Sequence, residues 1–464
     1  MTALPIPTAR LAAFHRALRP LERVWVVVLL SVLSGAYLPL LARDSTEAAA
    51  TQLAHAALLP LYAGLGILIV THPNEFARAA WRGKLALALV FVAAFSSLWS
   101  LEPGLTLTRS ISLLAPTALG LMLSSRFTWW ELLRLLAVAL GLAALVSTLV
   151  ALALPDEGIM TIDYGNAWHG VYGNKNGLGR AMALATIAFV LVALEGGRYR
   201  WLAWVAAAGA FALLLLARAA ASLVVCLAVL SLIPLFRALR FRFTTAMALW
   251  ILAVMLGAIV LTLMASNLES TLSLLERDTT LTGRTEIWAA VIASITERPW
   301  LGYGYNAFWQ EWSGPSASVL SAVGWETPHS HNGVLDLWLD LGAVGIVVFV
   351  LGLAAATRAA VARAKHTSGS ADLLPLAFLA FLVLINLSEA IVLKQHNVFW
   401  VLYVAILSSP RVTRASARHS PSPDGMDPPE RDSADRQPVP RVPIGRAHVS
   451  PGVRTAYLRR RRHG

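Results

Sequence analysis

The chain has 464 residues, of which 57% are hydrophobic and only 14% are charged. Soluble domains are typically about 45–50% apolar and about 25% charged, so this balance excludes an ordinary soluble protein and indicates that lipid surrounds most of the chain. A net charge of +12 could suggest a nucleic-acid partner. Most arginines, however, lie between apolar runs or in the last 55 residues, which is typical of membrane topology signals.

Apolar runs recur along most of the chain. A transmembrane helix needs about 20 mostly apolar residues, and twelve runs meet or approach this length. The candidate spans cover approximately residues 24–42, 53–70, 85–99, 105–123, 132–154, 178–195, 201–216, 219–236, 245–265, 332–357, 372–393 and 396–409. The sequence therefore predicts an all-α, polytopic integral membrane protein with about 12 transmembrane helices.

The charges between these spans alternate in sign. If the N-terminus is cytoplasmic, the segments on that side carry basic residues such as Arg78, Arg198 and Arg237. The segments on the other side then carry acidic residues such as Asp44 and Glu269. The positive-inside rule requires this alternation, so we predict that both termini are cytoplasmic.

The span map divides the chain into three parts. Residues 1–23 form a cytoplasmic N-tail, and residues 24–409 form the transmembrane domain. Residues 410–464 form a basic cytoplasmic tail that has too few large apolar residues to order itself. The largest outward loop covers about residues 266–331, and we expect function in such a loop.

Basic and amide side chains occur among the apolar residues on the side predicted to face outward. Lys175, Asn176 and Arg180, at the start of the sixth span, supply donors suited to phosphates or sugar hydroxyls. The alternative is a flexible turn whose arginine reaches the membrane interface through its stem.

Arg218 lies between two spans with almost no loop, where an arginine is costly and usually serves a site. Its alternative is also an arginine that reaches the interface.

A second group of candidates lies in the large outward loop. Arg284 precedes an amphipathic stretch in which Ile287, Val291 and Ile295 recur at helical spacing. This pattern predicts a helix on or near the membrane surface. The alternative is a helix packed on the outer ends of the bundle, with the arginine in a salt bridge.

Two histidines precede the tenth predicted span. His329 and His331 could suggest a metal site, but no cysteine or third ligand at a suitable spacing supports one, so we predict no metal and no cofactor. His331 lies beside Asn332 and about one helical turn from Asp336. It is therefore a candidate base in a partly dry site, and the alternative is a structural histidine.

These groups suit the chemistry of a lipid-linked sugar diphosphate. Cations must stabilise a departing diphosphate, and the guanidinium fork of arginine bonds two oxygens at once. A base must take the proton of the attacking hydroxyl. Arg218 and Arg284 can meet the first need and His331 the second. The sequence has no phosphate-cradling Gly-Lys-Ser loop and no Asp-rich cluster, which favours a metal-independent site without a nucleotide.

The same segments resemble the O-antigen ligase superfamily, which includes O-antigen ligases and exopolysaccharide polymerases. The resemblance rests on the Gly-Arg-Thr-x-Ile-Trp sequence at Arg284, the Pro-Trp-Leu-Gly-x-Gly sequence and the His-Asn-Gly-x-Leu sequence at His331. Residues 173–179 and 217–219 match two earlier motifs, except that Ala217 replaces the usual serine. The resemblance covers about residues 85–405.

This resemblance implies a GT-C-like glycosyltransferase of the bacterial inner membrane. It would transfer a glycan from undecaprenyl diphosphate at the periplasmic face, with inversion and without a metal. His331 matches the catalytic base of the family, and Arg218 and Arg284 match its diphosphate-binding arginines. The residues predicted to bind substrate are Lys175, Asn176, Arg180, Asn332, Gly302 and Gly304.

Two questions stay open at this point. The acceptor is a lipid A–core sugar for a ligase and a growing polysaccharide for a polymerase. The stretch from Trp99 to Ser110 resembles the polymerase branch and favours it slightly. The alternative class is a polysaccharide or lipid-linked sugar transporter or flippase, which would need charged residues deep in its spans. Asp336, Asp340 and Glu389 lie toward span ends instead.

Overall fold

The described part of the chain is helical in the computed structural model. The structure describes residues 8–41, 47–160, 165–241, 284–310 and 312–410. Within these ranges the extended pairing is limited to one isolated antiparallel bridge between Ile159 and Trp168. The predicted ninth span, the first part of the large outward loop and the basic tail lie outside the described residues.

The α-helices are numbered here in chain order over the described residues. They are α1 Thr8–Leu33, α2 Leu38–Leu41, α3 Glu47–Thr71, α4 Pro73–Arg82, α5 Lys84–Phe95, α6 Pro103–Ile111, α7 Leu114–Arg126, α8 Trp129–Ala153, α9 Pro155–Gly158, α10 Lys175–Glu195, α11 Arg200–Leu216, α12 Ala220–Ala238, α13 Arg284–Glu297, α14 Ser316–Val323, α15 Gly333–His366, α16 Leu374–Ile385 and α17 Val398–Leu407.

Several of these helices are long and apolar enough to cross a membrane. Five such helices occur among the described residues, and a sixth span results if α3 and α4, bent by 99° at their junction, cross together. The five are Pro103–Arg126, which joins α6 and α7, and the single helices Trp129–Ala153, Lys175–Glu195, Ala220–Ala238 and Gly333–His366. Four shorter apolar helices accompany them: Lys84–Leu98, Arg200–Leu216, Ala371–Ile385 and Val398–Leu407. The prediction of a polytopic helical membrane protein is confirmed, and the count of about 12 stays a prediction.

The predicted span at residues 372–393 is shorter in the structure, where α16 ends at Ile385. Asn386 ends the helix because its side chain takes over backbone hydrogen bonding. Its amide oxygen accepts the N–H groups of Ile391 at 3.0 Å and Val392 at 3.2 Å. The chain therefore turns back into a loop before α17, although its composition is still largely apolar.

A break in α15 attaches the segment of residues 299–304, which follows α13, to the bundle. Gly342 has φ 63° and ψ −163°, and a Cβ there would overlap the backbone of Trp300. The break frees backbone groups, which then pair with residues 299–304. Tyr303, for example, donates its N–H to the Leu339 carbonyl at 2.7 Å. Because buried backbone groups need partners, this pairing holds the loop against α15.

The predicted amphipathic helix in the outer loop is observed as α13. Ile287 and Val291 are completely buried and pack in one cluster with Phe308 and Val319. Ile292, on the other side of the helix, is 51% exposed. The apolar face of α13 therefore packs against protein, as one part of the alternative predicted, and the salt bridge of Arg284 stays a prediction.

Candidate functional site

The start of α10 is a structured turn. The Asn174 side chain is its N-cap and accepts the Gly177 N–H at 2.9 Å. Such a cap satisfies one of the free amide groups at a helix start. Lys175 and Asn176 lie half-buried in this first turn, and Arg180 follows in the second.

Arg180 joins α10 to the loop that follows α16. Its Nη1 lies 2.5 Å from Oε2 of Glu389, whose side chain is 4% exposed. A buried carboxylate needs a charged or hydrogen-bonding partner, so this ion pair fixes both segments at one end of the bundle. Glu389 was not among the site residues predicted from the sequence.

Hydrogen bonds shape the segment that carries His331. The Ser330 N–H donates to Oδ1 of Asp336 at 3.0 Å, and Nε1 of Trp288 in α13 donates to the Ser330 carbonyl at 3.0 Å. His331 itself has φ 55°, a left-handed conformation that is costly for a residue with a side chain. Such strain persists only where surrounding contacts enforce it, as they do here.

Three predicted substrate-binding residues also have structural roles. Asn332 is the N-cap of α15, where its Oδ1 accepts the N–H groups of the next turn at 3.0 and 3.2 Å. Gly302 and Gly304 have φ values of 68° and 101° in the segment that pairs with the broken turn of α15. A Cβ on Gly304 would overlap Ser100. Helix capping and backbone conformation explain why these residue types stand at these positions. Their role in substrate binding stays a prediction.

His329 and His331 lie side by side, with ring centroids 4.2 Å apart. The backbone N–H of His331 donates to Nδ1 of His329 at 3.2 Å. Over the described part of the chain, the buried Nδ1 of His331 has no hydrogen-bond partner. The His331 ring is therefore the less constrained of the two.

Both histidines lose proton affinity in this environment. Burial, followed by the charges of Lys394 and Arg180, lowers the pKa of His329 to about 4. Burial, followed by His329 and Arg284, lowers the pKa of His331 to about 4. Since the neutral form of an imidazole is the one that accepts a proton, both rings are available as bases at neutral pH.

The cations that act on the histidines come from three distant parts of the chain. We refer to Arg180, Arg284 and Lys394 as the cationic cluster. Lys394 lies between α16 and α17, with Nζ 3.5 Å from Oδ1 of Asn306. Lys394 was not among the predicted site residues. A lysine in a short loop predicted to face outward is not a topology signal, so the argument applied to Arg218 could have identified it.

Arg218 lies at the end of the bundle where α10 begins. It connects α11 to α12 with φ 49°. Gly179, which precedes Arg180 in α10, is in close contact with Ala219, and the Arg218 guanidinium packs against the backbone of Gly165. The approach of Arg218 to His331 and its contact with a diphosphate stay predictions.

Three potential metal ligands also meet here. His329, His331 and Glu389 each bring one ligand atom to within 4.8 Å of the others. The sequence offered no third ligand at a suitable spacing, and only the fold supplies Glu389. A divalent cation would, however, be repelled by the cationic cluster, and Arg180 already engages the carboxylate. We infer that this set of charges suits an anion better than a metal ion.

The fold and this cluster define a polytopic helical membrane protein with neutral histidines and several cations at one end of its bundle. An O-antigen ligase family model matches residues 179–350. The chain is also 26% identical over 281 residues to the exopolysaccharide production protein ExoQ of Rhizobium meliloti (strain 1021). That alignment covers 58% of this chain and 63% of the relative.

These matches confirm the predicted resemblance to the O-antigen ligase superfamily. The matched family region contains Arg180, Arg218, Arg284 and His331. Lys394 lies beyond the matched region. One member of the cationic cluster therefore comes from the structure and not from the family match.

Proposed function

We propose that this protein is a membrane glycosyltransferase of cell-surface polysaccharide assembly. It transfers a glycan from an undecaprenyl-diphosphate-linked donor to an acceptor hydroxyl at the periplasmic face of the bacterial inner membrane. The observation that carries the proposal is the position of His331, a neutral imidazole whose pKa is lowered by burial first and then by the charges around it, which include Arg284 and Arg180. The match to the O-antigen ligase family supports it.

In the proposed reaction, His331 is the general base. The acceptor oxygen attacks the anomeric carbon from the side opposite the diphosphate, so the configuration inverts. The new carbon–oxygen bond forms as the bond to the diphosphate oxygen breaks, and that oxygen keeps the electron pair. The proton of the acceptor hydroxyl passes to His331, which can take it because the ring is neutral.

Arginines hold the leaving group in this mechanism. Arg284 and Arg218 bind the diphosphate and stabilise the charge that develops on its departing oxygen. The assisting residues are Lys175, Asn176, Arg180, Asn332, Gly302 and Gly304. No metal ion or cofactor takes part, because the arginines supply the positive charge that a metal would otherwise bring.

The proposed topology is a GT-C-like bundle of about 12 spans with both termini in the cytoplasm. The ends of α10 support it. Arg180 lies near the first end, beside the histidines, whereas Arg198 follows the second end. A helix of this length is about 31 Å long and matches the hydrocarbon core of a membrane. By the positive-inside rule, this arrangement supports a periplasmic position for the histidines.

The acceptor separates two versions of the proposal. The family match points to an O-antigen ligase, whereas the relative in Rhizobium meliloti is named for exopolysaccharide production. A ligase uses a lipid A–core sugar, and a polymerase uses a growing polysaccharide. Gel analysis of surface glycans from a deletion strain distinguishes them. A ligase deletion accumulates long lipid-linked chains, and a polymerase deletion loses long chains altogether.

The proposal as a whole is tested with purified protein in vesicles. We expect transfer of glycan from a lipid-linked donor, extracted from the producing cells, onto an acceptor glycan from the same cells. The rival transporter or flippase would move the donor across the membrane without any acceptor. Movement of the donor with no transfer product would overturn the proposal.

The acceptor sugar has a candidate binding surface beside the base. The indole N–H groups of Trp288 and Trp309 are used in hydrogen bonds to Ser330 and Asp336. Trp325 differs, because it is 40% exposed and its ring centroid lies 6.4 Å from that of His331. An exposed indole face suits the C–H-rich face of a sugar ring, so we propose that the acceptor stacks on Trp325.

Trp325→Ala should raise the KM for the acceptor about tenfold and leave kcat and the KM for the donor nearly unchanged. The physical reason is that stacking binds the acceptor without touching the diphosphate. Trp300→Ala is a matched control, because Trp300 is 72% exposed. Equal acceptor KM values in the two variants would remove Trp325 from the acceptor site.

The pH dependence of transfer should report the lowered pKa of His331. The constant kcat/KM reflects the free enzyme, so its acid limb should lie near pH 4 instead of near the ordinary value of 6.5. The constant kcat reflects the donor complex, in which the negative diphosphate stabilises the imidazolium and moves the limb to higher pH. A kcat/KM limb at pH 6.5 would contradict the assignment.

A further inference from the structure

A cavity of about 410 Å³ lies at the opposite end of α10 from Arg180. It opens where the ends of α10 and α12 meet the turn between α15 and α16. Its lining includes Glu195, Arg237, Arg240 and Ser370. Because α10 is long enough to cross a membrane, this cavity lies at the membrane face away from the histidines.

Two arginines, Arg237 and Arg240, line this cavity. Arg240 is held by the carbonyls of Ser368 at 2.7 Å and Gly369 at 2.8 Å. Arg237 donates to Oγ of Ser370 at 2.8 Å. Burial lowers the pKa of Arg240, and the charge of Arg237 lowers it further, whereas Asp372 and Glu195 act in the opposite direction. An anion bound beside the two arginines would offset the repulsion between their charges.

The local acidic groups already have partners. Glu195 accepts the backbone N–H groups of Ser370 and Ala371, the latter at 3.0 Å. Asp372 pairs with Arg363 at 3.1 Å. Over the described residues, the buried Nε of Arg237 has no hydrogen-bond partner. Among the described residues, the carboxylates beside the cavity therefore bond to backbone N–H groups and to Arg363, and Arg237 keeps a donor without an acceptor.

Exposed aromatic side chains indicate the depth of the cavity in the membrane. Tyr199 is 62% exposed and Trp201 is 59% exposed, and both follow the end of α10. Phe241, in the cavity wall, is 59% exposed. Aromatic residues of this kind concentrate at the level of the lipid headgroups. The cavity therefore lies at headgroup depth.

We propose that this cavity binds the phosphate group of an anionic phospholipid. Arg237 and the Ser370 hydroxyl bind the phosphate oxygens, and the exposed ring of Phe241 contacts the adjoining lipid chain. Basic pockets between helices on the cytoplasmic side bind such headgroups in other membrane proteins. A free phosphate ion shares this headgroup chemistry but would gain nothing from the apolar ring. This site is separate from the transfer reaction.

The test measures lipid binding to the full-length protein. Thermal unfolding is followed in detergent with phosphatidylglycerol, with phosphatidylcholine or with inorganic phosphate. We expect phosphatidylglycerol alone to stabilise the wild type. Arg237→Gln should weaken its apparent affinity about tenfold, since a hydrogen bond to a charged group is lost. Arg198→Gln is the control, because Arg198 is exposed at the same end of α10 and should leave the affinity unchanged.

A second variant, Ser370→Ala, keeps the test decisive if Arg237→Gln does not fold. Ser370→Ala removes one hydroxyl and should weaken phosphatidylglycerol binding severalfold, even if Arg237→Gln does not fold. Unchanged lipid affinity in Ser370→Ala and in any folded Arg237→Gln protein would overturn the proposal. Equal stabilisation by inorganic phosphate would overturn the lipid assignment in favour of a free-anion site.

Discussion

Replacement of His331 should lower the turnover of glycan transfer by about a thousandfold, which is within the usual contribution of a general base. The best variant is His331→Asn. His331 has φ 55°, and asparagine tolerates this left-handed conformation better than alanine does. His331→Asn therefore removes the base with the least backbone strain. Turnover is measured with a lipid-linked donor at saturating acceptor.

His329 provides the matched control for this experiment. Its ring lies 4.2 Å from that of His331 and its pKa is also lowered to about 4. It differs in that its Nδ1 already accepts the backbone N–H of His331. We expect His329→Ala to retain most turnover. Wild-type turnover in His331→Asn would refute the base assignment, and loss confined to His329→Ala would transfer that role to His329.

Arg284→Gln should reduce kcat/KM for the lipid-linked donor by about a hundredfold or more, because a cation is lost at the developing negative charge. Arg284→Lys should recover only part of this loss, since lysine keeps the charge but not the fork that bonds two oxygens. The measurement is steady-state transfer at varied donor concentration and fixed acceptor.

Arg284 also has a signature that a purely structural role would not produce. Its charge lowers the pKa of His331, so its removal should raise that pKa and move the acid limb of kcat/KM to higher pH. Arg298→Gln is the control on the same outer-loop segment, because Arg298 is exposed and packs over the ring of Tyr303. If the acid limb of kcat/KM in Arg284→Gln stays at the wild-type pH, Arg284 does not act on the pKa of His331.

Much of the architecture could be predicted from hydropathy alone. The apolar runs predicted a helical polytopic membrane protein, and the motifs at Arg284 and His331 predicted the family resemblance. The structure confirms the first and the comparisons confirm the second. Both depend on properties that accumulate along the chain, namely apolar length and short local sequence, so neither needs knowledge of distant contacts.

Only the tertiary structure decided which polar groups meet. The ion pair of Arg180 and Glu389 joins residues 209 positions apart. Lys394 acts on His329 from the loop between two predicted spans. Asn386 ends α16 through hydrogen bonds of its own side chain, which composition does not reveal. Hydropathy averages over a window, whereas these contacts depend on single side chains and on where the packed helices bring them.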